Sequence, residues 1–342
     1  MTLEEFLDTW HSPSETLLVH TSGSTGTPKP MLVEKRRMLN SAKITCDFLG
    51  LKPRDAALLC MSLDYIAGKM MVVRSIERSL KLISVKPSGH PLSAESLKNA
   101  NDAAWKQGIT FAAMVPMQVY NTLQVPEERE RLTHIKHLII GGGAIDSALE
   151  AELRSLSGDI AIWSTYGMTE TLSHIALRRI NGKEASEWYQ PFDSVKVSQT
   201  EEGCLVIDAP LVCKQPLVTN DIVEIQPYIY NKVCAEGVRF RIKGRKDNVI
   251  CSGGIKIQIE EVENLLKPHL QKPFMLAKKK DEKFGEIAVL LTEDGDLKKV
   301  EATVRRLLSD NSKKYWIPRE YIHVESLPLT ETGKPKRACL LR

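Results

Sequence analysis

The chain carries several clusters whose residue types suit phosphate chemistry. Thr21 to Lys29, TSGSTGTPK, packs hydroxyls, glycines and one lysine into a single short loop: Thr21, Ser22, Gly23, Ser24, Thr25, Gly26 and Lys29. Glycine lets a backbone turn sharply and come close to a ligand. Consecutive N–H groups and hydroxyls donate to phosphate oxygens, and Lys29 adds a positive charge. The Gly-Lys-Ser/Thr ending of an ordinary P-loop is absent, and the loop alone serves equally well as a surface turn. A second cluster, Ser164-Thr165-Tyr166-Gly167-Met168-Thr169-Glu170, ends an apolar run. A carboxylate there suits Mg²⁺, which prefers hard oxygen ligands, and Tyr166 has a flat face for a purine. The structural alternative is a helix start with Thr169 or Glu170 in its first turn. Asp221, in Thr219-Asn220-Asp221, could accept both hydroxyls of a ribose or simply hold a turn. Arg245 to Asn248 with Gly253-Gly254, and the polar loop 328–336 presenting Lys334, complete the set.

These clusters need elements to position them. Short apolar runs at 17–20, 56–61, 82–85, 109–115, 137–140 and 160–164 alternate with helical spacing at 33–48, 69–80, 94–106 and 147–156. That rhythm predicts an α/β fold on a largely parallel sheet, with ligands collecting at the carboxyl ends of the strands. Gly141 and Gly142 follow one such run. Beyond residue 200 the texture becomes β-rich. Short strands and hairpins precede a helix at 259–266, a strand at 287–291 and a helix at 300–308, which predicts a small α+β C-terminal domain.

Composition excludes some classes. With 47 basic and 43 acidic residues the formal charge is +4, which gives no expectation of a nucleic-acid or membrane surface. The lysine runs at 278–280 and 313–314 read as solvated faces. Seven cysteines without a Cys-x-x-Cys pair predict neither a metal site nor a disulfide framework, and fit a reducing cytoplasm. The acidic opening MTLEEFLDTW does not read as a signal peptide.

In this order the clusters resemble the adenylate-forming superfamily, which comprises acyl- and aryl-CoA synthetases, luciferases and peptide-synthetase adenylation domains. The loop matches [ST]-[SG]-G-[ST]-T-G-x-P-K, and YGMTE matches the adenine and magnesium motif. TND stands for the usual T-G-D, GRKDNVICSGGIKIQIEEVE matches the linker, and TGKPKR matches the terminal lysine motif. The resemblance runs from Thr21 to Lys334. It implies domains at 1–244 and 248–342 with a hinge at 245–247, the small domain being mobile. It implies a two-step reaction: ATP and a carboxylate give an acyl-adenylate, and a thiol, most often that of CoA, displaces AMP. Ser22, Ser24, Thr25 and Lys29 would hold the β,γ-phosphates, and Gly141, Gly142 and Tyr166 would frame the adenine. Thr169 would touch the α-phosphate and Glu170 would bind Mg²⁺. Asp221 and Arg245 would hold the ribose, Lys334 would bridge the carboxylate and α-phosphate, Asp247 would be the hinge, and Gly253-Gly254 would face the pantetheine tunnel. Two departures stand out. Asn220 replaces a glycine and is expected to allow positive φ, and Ile259 replaces a common proline, which leaves the backbone less fixed. Relatives usually place a substantial segment before the loop, so the resemblance implies a shortened enzyme whose uncovered face a second subunit, a homodimer partner, could close.

The acyl pocket is expected around Leu63 to Arg74. Tyr65 takes the place of a usual histidine, Gly68 matches the pattern, and Arg74 lies on an otherwise apolar helix. A lone arginine there commonly snorkels to water. The o-succinylbenzoate–CoA ligases of the menaquinone pathway carry a basic residue at the corresponding place, and a buried second carboxylate needs a cation. YGMTETLSHIALRRING, with Ser173 and His174 after the Glu, also resembles that subfamily. The expectation is therefore an o-succinylbenzoate–CoA ligase. The alternatives are another acyl- or aryl-CoA synthetase, an adenylation enzyme serving a carrier protein, and a non-catalytic adenylate-binding protein.

Overall fold

A computed structural model describes residues 1–20, 29–101, 103–156, 158–230, 235–309 and 313–328. The chain begins with α1 (Leu3–His11), β1 (Thr16–His20), β2 (Pro30–Glu34), α2 (Lys35–Phe48), β3 (Ala56–Leu59), α3 (Ile66–Arg78), β4 (Lys81–Ser84) and α4 (Ala94–Lys98). Next come β5 (Phe111–Met114), α5 (Pro116–Leu123), α6 (Pro126–Thr133), β6 (His137–Ile140), α7 (Ser147–Ser155), β7 (Ala161–Gly167), β8 (His174–Arg179) and β9 (Gln190–Pro191). A β-rich stretch follows: β10 (Lys196–Gln199), β11 (Cys204–Asp208), β12 (Leu217–Tyr230) and β13 (Ala235–Arg245). The last elements are β14 (Val249–Ser252), β15 (Ile255–Gln258), α8 (Ile259–Leu266), β16 (Phe274–Asp281), β17 (Gly285–Thr292), α9 (Leu297–Leu307) and β18 (Glu320–His323).

The chain divides into two units. One holds 1–197, 207–217 and 226–240; the other holds 198–206, 218–225 and 241–342. In the first, a seven-stranded sheet runs β4-β3-β5-β6-β7-β8-β9. Its pairs are parallel from β4 to β7, and β8 and β9 are antiparallel. Strands buried on both faces read as continuous apolar runs, which is why β3 (AALL) and β5 (FAAM) are fully buried. One residue set of the strands (Leu58, Ala112, Met114, Leu138, Ile140, Ile162) joins a core with Leu97, Val119, Leu123, Leu132, Leu149 and Leu153 of α4 to α7. The alternate residues serve the opposite face, where α3 packs on β3 and against α2. The fold is the expected mixed α/β one.

Several elements, α1, α5, α6 and β16 among them, have no counterpart in the sequence reading, and three further differences bear on the site. The helical spacing begun at 33 starts as a strand, because β2 pairs with β1 from Thr16↔Glu34 to His20↔Pro30. That pairing brings Lys29 close to the end of β1. The helix expected over 94–106 stops after Lys98. There the Asn101 carboxamide bonds β4, accepting from Ser84 N at 2.7 Å, and so competes with helix continuation. β8 has no counterpart in the sequence reading.

In the second unit β15-β14-β17-β16, with β18 beside β17, forms a five-stranded sheet. Ile250, Ile257, Leu276, Leu290, Val262, Leu266, Val300 and Val304 join this sheet to α8 and α9 in one core. Ile259 is buried at the first position of α8. A proline would be tolerated there; the isoleucine adds apolar burial instead. A separate four-stranded sheet has the order β10-β11-β12-β13.

Candidate active site

Parallel pairing of β6 with β7, ending at Ile140↔Ser164, sets two expected clusters side by side at the carboxyl ends of their strands. Gly141 and Gly142 leave β6, and Gly142 has φ +80°, which favours glycine. Asp146 then caps α7, accepting from Ala148 N at 2.9 Å and Leu149 N at 3.0 Å. Beside them, Tyr166 is 7% exposed. Phe240 meets its ring edge-on at 5.1 Å and Tyr189 lies tilted at 5.9 Å. The Tyr189 and Ser164 hydroxyls are 2.8 Å apart, so Tyr166 is braced from behind.

The register of β7 against β8 shifts between Tyr166 and Gly167, a bulge of the kind that re-aims side chains near functional sites. The connecting turn is strained: Leu172 is buried with φ +65° and ψ −36°, a conformation that non-glycine residues keep only when their surroundings enforce it. Thr171 enforces it. Its hydroxyl accepts from Met168 N at 2.9 Å and lies 2.7 Å from the Ser173 carbonyl, to which it can donate. Thr169 is buried in this turn, and Glu170 is exposed. The Glu170 carboxylate forms no ion pair among the described residues. The Cys213 thiol donates to its backbone carbonyl at 3.4 Å.

On the sheet's α2/α3 side lies the most unusual charge in the chain. Arg74 is 2% exposed, among the largest fully buried side chains. It does not snorkel, because α3 is covered along this face. Its Nη2 donates to Ser173 Oγ at 2.5 Å and its Nη1 approaches Met71 Sδ at 3.8 Å. Among the described residues its Nε–H has no partner and no carboxylate faces it. Burial lowers its pKa to about 10, opposed slightly by Cys46. Ser173 Oγ lies 3.2 Å from His174 Nδ1, and His174 Nε2 lies 3.0 Å from Thr45 Oγ1. Burial first, and the Arg74 charge second, hold His174 well below the usual histidine range. Arg74, Ser173 and His174, placed together by sequence alone, do meet. Tyr65, the residue before α3, is half exposed, and Gly68 is buried in the first turn of the helix. Two residues escaped the sequence reading. Thr45 completes the network. Lys69 is buried beside Gly68, donating to the Leu63 carbonyl, with its pKa lowered by burial. The signal for Lys69 was its place next to Gly68; Thr45 left none.

The second unit holds another group. Arg245 Nη1 meets Asp221 Oδ1 at 3.4 Å, and its Nη2 meets Asp247 Oδ2 at 2.8 Å. Asn220 is not at positive φ; it lies in β12, and its amide donates to the Asp247 carboxylate at 3.1 and 3.3 Å. The substitution for glycine supplies a hydrogen bond, not a backbone conformation. The Arg245 bond, with that of Asn220 adding, holds the Asp247 carboxyl below its usual range. Gly253 and Gly254 join β14 to β15 with φ +56° and +84°, as a type I′ hairpin turn requires. The assignments at Thr21 to Gly26 and at Lys334 lie outside the described residues. Lys29 is described and exposed.

No cluster of three or more metal-ligating side chains occurs among the described residues.

The mixed α/β sheet with glycines at its strand ends is the fold of a nucleotide-binding class of enzymes. Residues 8–208 match the family model described as AMP-binding enzyme, and the chain belongs to that family. A solved acyl-CoA synthetase (AMP-forming)/AMP-acid ligase II-like protein from Dyadobacter fermentans DSM 18053 is 31% identical, with 98% of this chain and 91% of that one covered and a TM-score of 0.61. A plipastatin synthase of Bacillus subtilis (strain 168) is 25% identical over 94% of this chain, which spans only 13% of that protein. The 2-succinylbenzoate–CoA ligase of Bacillus mycoides (strain KBAB4) is 23% identical over 97% of this chain and 71% of its own length.

Proposed function

We propose that the protein is an ATP-dependent, AMP-forming acid–thiol ligase that converts o-succinylbenzoate to its CoA thioester in menaquinone biosynthesis. The observation that carries this reading is Arg74. A buried guanidinium with only neutral hydrogen-bond partners, Ser173 Oγ and Met71 Sδ, and an Nε–H without one among the described residues is costly unless an anion completes it. A substrate with a second carboxylate beyond the reacting one supplies that anion. Ser173 supplies a neighbouring hydroxyl, while Tyr65 and Gly68 begin the helix that carries the arginine.

Thr169 and Lys334 would stabilise charge developing at the α-phosphate, where fixed donors act most strongly. Glu170 would hold Mg²⁺, which neutralises phosphate charge. The 21–29 loop would hold the β,γ-phosphates, Gly141, Gly142 and Tyr166 the adenine, and Asp221 with Arg245 the ribose. The match to a plipastatin synthase favours a second reading, in which the thiol belongs to a carrier protein instead of CoA. The test is a carboxylate panel assayed for ATP- and CoA-dependent AMP release. o-Succinylbenzoate is expected to exceed benzoates lacking the second carboxylate by at least tenfold in kcat/KM. Equal use of the monocarboxylates defeats the substrate assignment, and AMP release that requires a carrier protein supports the second reading.

A further inference from the structure

The hydrogen bonds around Arg74 have one consistent direction. An arginine only donates, so Ser173 Oγ accepts from Nη2 at 2.5 Å. At the other end Thr45 Oγ1 donates to the Ser41 carbonyl at 3.1 Å. That spends the only proton of Thr45, so its contact with His174 Nε2 at 3.0 Å is satisfied by an Nε2–H donating to it. His174 is buried beside a guanidinium, a place that opposes a second positive charge. A neutral ring with Nε2–H has a bare Nδ1, which accepts the Ser173 proton at 3.2 Å. Every link of the chain thus has one donor and one acceptor, from Arg74 Nη2 through Ser173, His174 and Thr45 to the α2 backbone. The groups polarise one another in the same sense. None carries negative charge, so the relay fixes the guanidinium without neutralising it.

We propose that His174 and Thr45 are positioning residues: they hold Ser173 Oγ as an acceptor for Arg74 and so fix the guanidinium with its charge and Nε–H available to an anionic group of the acyl substrate. This rests on the reading of Arg74 as the site of the distal carboxylate. A carboxylate in place of His174 would cancel the charge, and an apolar side chain would leave Ser173 free to turn its proton elsewhere. A neutral histidine supplies an acceptor and a donor on opposite sides of one rigid ring.

Two measurements test it. Imidazole nitrogen NMR of the ¹⁵N-histidine-labelled protein at pH 7, with the His174 signals assigned by their loss in His174→Gln, is expected to show the Nε2–H tautomer. A dominant Nδ1–H form or an imidazolium overturns the relay, whatever the enzyme's substrate. Thr45→Val removes the acceptor at constant volume, and Thr45→Ser keeps it. Valine is expected to raise the KM for o-succinylbenzoate about tenfold, the scale of one lost buried hydrogen bond, with kcat and the ATP KM within about twofold. Serine should restore the parent values. Equal behaviour of valine and serine, or a loss spread over ATP as well, overturns the positioning role. If no dicarboxylate supports AMP release, the substrate reading fails, and the tautomer still decides the relay.

Discussion

Arg74 sits where folding physics alone would place a methionine or leucine. Its neighbours in α3 are Met70, Met71, Val72 and Val73, all buried. Replacing a buried charge by an apolar side chain of similar volume is often neutral or stabilising, by about 1–4 kcal/mol. An arginine there costs stability, and the proposed role in substrate binding would account for it. The sequence showed that an arginine interrupts an apolar stretch, but snorkelling and burial leave the same trace in a one-dimensional pattern. Only the covering of α3 separates them. Arg74→Met is therefore expected to leave the thermal midpoint unchanged or raised while kcat/KM for o-succinylbenzoate falls at least a hundredfold, the scale of a charge-assisted pair. A scanning calorimetry trace with a midpoint lowered by several degrees would show that the arginine is structural.

At the scale of elements, helices and buried strands were legible because their periods differ. The runs that became β3, β5 and β6 and the amphipathic α8 stand close to their expected limits. The strands β2 and β8 and the short helices α1, α5 and α6 were not legible. The β2 stretch PMLVE merges with the helical spacing after it, and pairing with β1 decides between them. β8 follows a strained turn that no local propensity announces, since Leu172 takes φ +65° only in its tertiary setting. The Gly253-Gly254 hairpin shows how one motif can answer to two demands. Both residues need positive φ for the turn, and a Cβ on Gly253 would come within 3.3 Å of Phe284 Cδ1. Gly253→Val is expected to cost about 1–3 kcal/mol. Gly253→Asn, the favoured residue for this turn position, should cost under about 1 kcal/mol by urea denaturation. If the pair also faces pantetheine, as the resemblance implies, the asparagine variant will still slow thioester formation severalfold while adenylation is unchanged. Unimpaired thioester formation in that stable variant would reduce the glycines to a turn.

For the whole molecule, the proposed machinery is distributed by chain position. Arg74, Thr169 and Glu170 belong to the first unit, and Asp221, Arg245 and Asp247 to the second; Lys334 follows near the C-terminus. A two-step reaction that alternates its catalytic groups needs a residue that absorbs a large torsional change, and a loop or element-terminal residue is the usual place. We assign that role to Asp247, a residue in a short turn tethered by Arg245 and Asn220. Lys334 would act in the first step only. A point cation at the α-phosphate is useful while charge develops there and has no task when a thiol displaces AMP. Lys334→Ala is accordingly expected to lower ATP–pyrophosphate exchange by about 10²–10³-fold and to leave thioester formation from supplied acyl-adenylate within about threefold. Asp247→Pro, which fixes φ near −65°, should do the reverse, sparing exchange and blocking the thioester step. Opposite selectivity in two variants of normal stability cannot come from general damage to the fold. If both variants instead lose the two half-reactions in equal measure, alternation about Asp247 is wrong and the two steps share one set of groups.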